Sequence, residues 1–69
     1  MGNYRDTSRK LYKRELDRIV GNMEWALTHL ARFIEAYSEH HPDLAAQAGT
    51  IGEGVVYLID AVKKLNDQV

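Results

Sequence analysis

The sequence predicts an all-α fold: an antiparallel two-helix hairpin with a short N-terminal segment, assembled into a symmetric homo-oligomeric helical bundle. Three observations carry this. Two long segments each repeat apolar residues at alternating spacings of 4 and 3, the mark of a helical seam. A polar cluster ending in the sole proline separates them. Finally, 69 residues without a cysteine bury only about 60% of the surface their unfolded chain exposes, so stability has to come from association.

The first helix is expected over about residues 8–38, and Leu16, Val20, Met23, Leu27, Leu30, Ile34 and Tyr37 make its seam. Asp6, Thr7 or Ser8 can cap it, and at 1.5 Å per residue it would be roughly 45 Å long. Ser38-Glu39-His40-His41 leads into Pro42, which suits a first helical turn, and Asp43 beside it complements the positive end of the dipole. The second helix is therefore expected over about 43–66, with Leu44, Ala48, Ile51, Val55, Leu58, Val62 and Leu65 as its seam and Lys63 and Lys64 near its last turn. Strands are disfavoured, since period-two alternation and Asn-Gly or Asp-Gly turns are absent.

A second stripe accompanies each seam. Tyr12, Ile19, Ala26 and Phe33 recur every seven residues in the first segment, and Ala45, Gly52 and Ile59 in the second. Two helices cannot cover both stripes, so the surplus is expected to pack on further copies, giving a dimer of hairpins or a higher ring built from them. Ile19, Trp25, Ala26, Phe33, Gly52 and Ile59 are the expected oligomer-interface residues. Trp25 lies off the seam in heptad phase with Arg18 and Arg32, either as an inter-subunit contact or as a ligand-facing ring. Gly49, Gly52 and Gly54 each cost up to about 1 kcal/mol against alanine inside a helix. Close helix approach at Gly52 is the leading explanation, and a helix break near Thr50 with amides free for an anion is the other.

Composition excludes several classes. The formal net charge of −1 and 28% charged residues fit neither a disordered tail nor a basic nucleic-acid coat. No apolar run is long enough for a membrane span, and the N-terminus lacks the apolar core of a signal peptide, so a reducing cytoplasm is the expected compartment. There is no cysteine nucleophile, Gly-x-Ser-x-Gly elbow, phosphate-binding Gly-Lys-Ser/Thr loop or His-Glu-x-x-His pair, so no enzyme and no cofactor are expected. His40 and His41 are adjacent and face different ways on a helix, which gives no metal cage.

Charge is unevenly spread. Arg5, Arg9, Lys10, Lys13, Arg14 and Arg18 fall in the first 18 residues, interleaved with Tyr4 and Tyr12. Cations meet phosphates and aromatic rings stack on bases, so the segment holds the ingredients of a nucleotide site; the plainer reading is a solvated helix face with intrahelical pairs such as Lys13 and Asp17. A protein-interaction module using Trp25 and the acidic remainder is a second functional reading. DNA or RNA binding ranks third, because the rest of the chain is acidic.

Several segments resemble a family. Ile51-Gly52-Glu53-Gly54-Val55-Val56-Tyr57-Leu58-Ile59-Asp60-Ala61-Val62, Tyr4-Arg5-Asp6 and Gly21-Asn22-Met23-Glu24 are similar to the phage-encoded sponges that bind the cyclic oligonucleotide signals of bacterial immunity. The resemblance spans most of the chain and implies an all-helical oligomer, often a hexamer, that holds cyclic dinucleotides or trinucleotides without cleaving them. It implies base stacking by Tyr4 or Tyr12 and phosphate contacts from Arg5, Arg9 or Lys13. The chain departs from the pattern at Leu44, where the family has an aromatic residue.

Overall fold

In the computed structural model, residues 2–69 are described, with side-chain surroundings from Arg9 onward. Two helices, α1 (Gly2–Tyr37) and α2 (Pro42–Gln68), run antiparallel and form a rod 60 Å long. Among the described residues there is no strand, and no helix is long and apolar enough to cross a membrane.

α1 begins at Gly2, well before the expected start near residue 8, so among the described residues no separate N-terminal segment precedes it. Neither glycine nor proline interrupts residues 3–20, and Asp6, Thr7 and Ser8, expected as caps, fall inside the helix; their side chains lie outside the described residues. At the other end, the Ser38 N–H donates to the Ile34 carbonyl at 2.9 Å and the His41 N–H to the Tyr37 carbonyl at 2.7 Å. Pro42 then opens α2 with its missing N–H in the first turn, and Asp43 sits in that turn as expected. His41 makes no side-chain cap there.

α2 runs on to Gln68, which leaves Lys63 and Lys64 inward of the last turn. The cation at that end comes instead from the other helix: the Lys13 ammonium donates to the Asn66 carbonyl at 2.7 Å and to Asn66 Oδ1 at 3.4 Å. The Asn66 amide in turn donates to Asp17 Oδ1 at 2.9 Å. The Asn66 carbonyl also accepts the Val69 N–H at 3.2 Å, so Lys13 adds a cation at the negative pole of α2, and its pairing with Asp17 is indirect, through Asn66.

The seam between the helices departs from the expected one on α2. On α1, Leu16, Val20, Met23, Leu27, Leu30 and Ile34 are half-buried as expected, and Tyr37 is more open. On α2 the inward residues are Ala45, Ala48, Gly52, Val55, Ile59 and Val62, of which Ala45, Ala48 and Ile59 are the buried core. Leu44, Ile51, Leu58 and Leu65, expected in the seam, are exposed. Ala45, Ala48 and Gly52 are small, so with them inward the two helix axes can approach more closely than with leucines there. Gly52 and Ile59, expected on the oligomer-facing stripe, therefore turn toward α1.

The glycines need no special geometry. Among the described residues no backbone φ is positive, and α2 is unbroken through Thr50, which removes the anion-site reading. A Cβ on Gly52 would meet Leu27 Cδ2 at 3.8 Å, an ordinary contact, and Cβ atoms on Gly21, Gly49 and Gly54 would meet nothing within 4 Å. The approach at Gly52 is close enough for alanine, so close packing does not require glycine there.

Candidate functional site

An antiparallel hairpin puts the start of α1 beside the end of α2. Lys13 against Asn66 and Gly52 against Leu27 fix the register along the rod. Eight of the nine Lys and Arg residues, Arg5, Arg9, Lys10, Lys13, Arg14, Arg18, Lys63 and Lys64, consequently fall in the half of the rod away from the loop, against Asp6, Glu15, Asp17, Asp60 and Asp67. The loop half holds one cation, Arg32, against Glu24, Glu35, Glu39, Asp43 and Glu53. The two ends differ in sign: net +3 at the open end and −4 at the loop end, which together give the −1 of the chain.

Several open-end cations are committed within the chain. Arg18 pairs with Glu15 at 3.3 Å and Lys64 with Asp60 at 3.1 Å, both well exposed and so worth little. Lys13, expected to meet a phosphate, is held by Asn66. Arg9 is exposed and Tyr12 is 62% exposed, its ring presented to solvent. Tyr4 and Arg5 belong to α1, and their side chains lie outside the described residues.

A second feature lies on the outer side of α1. Trp25 is 62% exposed and stacks on His29 with ring centroids 5.8 Å apart. Arg18, Gly21, Asn22, Glu24, Thr28 and Arg32 line a shallow open groove around it. An indole among two guanidinium groups and a carboxylate offers a planar partner a stacking surface with charges of both signs around it.

The third feature is apolar. Phe33 and Leu30 from α1 share one groove with Leu44, Ala48 and Ile51 from α2. The stripe of Tyr12, Ile19, Ala26 and Phe33 and the row of Leu44, Ile51, Leu58 and Leu65 therefore lie on the same side of the hairpin, all exposed. At the loop end the face closes in an aromatic run, Phe33 on Tyr37 at 4.5 Å and Tyr37 on His41 at 5.6 Å. Ile19, Ala26 and Phe33 of the expected oligomer residues belong to this face, while Trp25 lies around the helix from it. The leucine row escapes sequence reasoning because its 7-residue period also satisfies a seam.

Among the described residues, no three His, Asp or Glu side chains gather around one point that could hold a metal ion. Compared with protein-family models, curated proteins and solved structures, the chain matches none.

Proposed function

We propose that this chain is a non-catalytic binding protein, a sponge that works as a homo-oligomer and sequesters cyclic oligonucleotide signals without cleaving them. One observation supports the reading above others: the hairpin gathers eight of its nine cations in the half of the rod away from the loop. Each phosphate of a cyclic di- or trinucleotide accepts charge-assisted hydrogen bonds, and these cations supply the donors. Sequestration needs occupancy and no turnover, so a small abundant particle with several copies of one site suffices.

Native mass spectrometry of the protein with a panel of cyclic dinucleotides and trinucleotides tests this directly. The expected spectrum shows an oligomer gaining whole ligand masses, with the ligand recovered intact. Arg9→Ala with Arg14→Ala should keep the oligomer mass and weaken binding by at least about tenfold, since a hydrogen bond to a charged group contributes about 1.5–3 kcal/mol. A panel that adds no mass, or a ligand returned cleaved, overturns the reading.

The exposed Trp25 between Arg18 and Arg32 favours a second reading, a module that docks on and regulates a larger protein. Loss of a stoichiometric partner on Trp25→Ala, with the nucleotide panel silent, would select it.

A further inference from the structure

The seam of the hairpin is thin. Its fully buried residues are two alanines and one isoleucine, and among the described residues no side chain is completely removed from solvent. Seven of the twelve exposed large apolar side chains lie on one open face, Tyr12, Ile19 and Phe33 from α1 with Leu44, Ile51, Leu58 and Leu65 from α2. The stripe from Tyr12 to Phe33 is about 32 Å long at 1.5 Å per residue. Across two helices about 10 Å apart the face is on the order of 600 Å² per protomer, at the threshold of what a specific stable interface needs.

Two features of this face say what covers it. First, the rows are self-complementary about one point. The α1 stripe is centred between Asn22 and Met23, and the α2 row between Gly54 and Val55. The register fixed by Lys13 against Asn66 and Leu27 against Gly52 puts these centres at the same height on the rod, within about two residues. A single two-fold axis there, perpendicular to the helices, pairs Tyr12 with Phe33, Ile19 with Ala26, Ile51 with Leu58 and Leu44 with Leu65 of another copy. Second, that axis sets the open end at net +3 against the loop end at −4, twice. The alternative axis along the rod would stack like ends on like.

We infer that the apolar face is occupied by a second copy of this chain, laid face to face with the two loops at opposite ends, as the pair from which any larger assembly is built. The inference rests on the homo-oligomer part of the reading above and not on the ligand. A silent nucleotide panel leaves it standing, and a monomeric hairpin overturns it whatever the open end binds.

Because the chain has no cysteine, a single spin label at Glu39→Cys, beside the loop and off the face, reports the arrangement by pulsed electron paramagnetic resonance. Loops at opposite ends give one label-to-label distance of about 45 Å, from the helical rise between the loop and the dyad. Loops at the same end give less than about 20 Å. Light scattering in parallel is expected to give twice the 7.9 kDa of the chain or an even multiple. Leu58→Glu should abolish the pair, while Trp25→Glu on the other side of α1 should leave both mass and distance unchanged. A hexamer that retains the 45 Å distance supports the pair as its unit. A folded monomer at micromolar concentration, or an oligomer showing only the short distance, overturns it, and a folded monomer leaves the face to a different protein.

Discussion

Lys13 shows how one residue can be read two ways from its neighbours in sequence. Set between Arg9 and Asp17 on a helix it offers a free cation or a local ion pair, yet its ammonium lies against a carbonyl 53 residues away. The physical gain is specific. That carbonyl already accepts the Val69 N–H at 3.2 Å, so the ammonium adds a second donor and places a cation at the negative pole of the helix. Lys13→Met keeps the aliphatic stem and removes the charge. The contact is part-exposed, so the expected loss is about 1 kcal/mol, the usual net worth of a hydrogen bond, and a fall of roughly 4–8 °C in melting temperature. Amide hydrogen exchange adds a local reading: the last turn of α2 should exchange faster in the variant than in the parent, while the residues around Ile59 stay protected. A variant that melts with the parent would show that the ammonium does not hold the two helix ends together.

At the scale of the element, the helices themselves were legible. Pro42 with Asp43 marks the start of α2, and the unbroken 4-and-3 spacing marks α1. What the sequence leaves ambiguous is which face of α2 turns inward. Leu44, Ile51, Leu58 and Leu65 join Ala48, Val55 and Val62 in one heptad seam, and Ala45, Gly52 and Ile59 join the same three in another, one step around the helix. Size favours the leucines, and close approach of the axes favours the small residues. In the structure Ala45, Ala48 and Ile59 are buried and the leucines exposed, so the small residues face α1. The candidate site was legible to the same depth. The cationic start of α1 stands in the sequence, whereas the addition of Lys63 and Lys64 and the diversion of Lys13 depend on the antiparallel register. Two alanines two residues apart test the seam. Ala48, 4% exposed, should not tolerate leucine: Ala48→Leu is expected to cost about 1–3 kcal/mol by overpacking. Ala46, exposed on α2, should accept leucine within about 0.5 kcal/mol, as surface substitutions do. Thermal melts followed by circular dichroism compare them, and equal effects at both sites would show that Ala48 does not face α1.

At the scale of the molecule, the balance between seam and open face decides what folds. Ordering a residue costs about 1–2 kcal/mol in backbone entropy alone, and a seam whose leucines and valines are only half-buried offers limited apolar burial against 69 such terms. Seven further large side chains stay uncovered on the open face, so the folding and association of the hairpin should be one event rather than two. A linked equilibrium of this kind has a signature that a stable monomer lacks: the melting temperature depends on protein concentration. For a dimer, each tenfold dilution removes about 1.4 kcal/mol from the folded state, which for roughly 140 ordered residues corresponds to a fall of about 4–5 °C. Helical circular dichroism and oligomer mass should be lost together along that series. The ends add a second dependence. Since opposite charges meet at both ends of the antiparallel pair, raising salt from tens to hundreds of millimolar should lower the melting temperature, because a Debye length of about 8 Å at physiological ionic strength shrinks toward 3 Å at 1 M and screens exposed pairs. Like ends stacked together would respond in the opposite direction, with salt relieving repulsion. The sign of the salt effect thus reports the orientation of the pair without a label. A melting temperature that ignores dilution over two decades would mean that the thin seam is enough, and that the apolar face serves a partner other than a second copy.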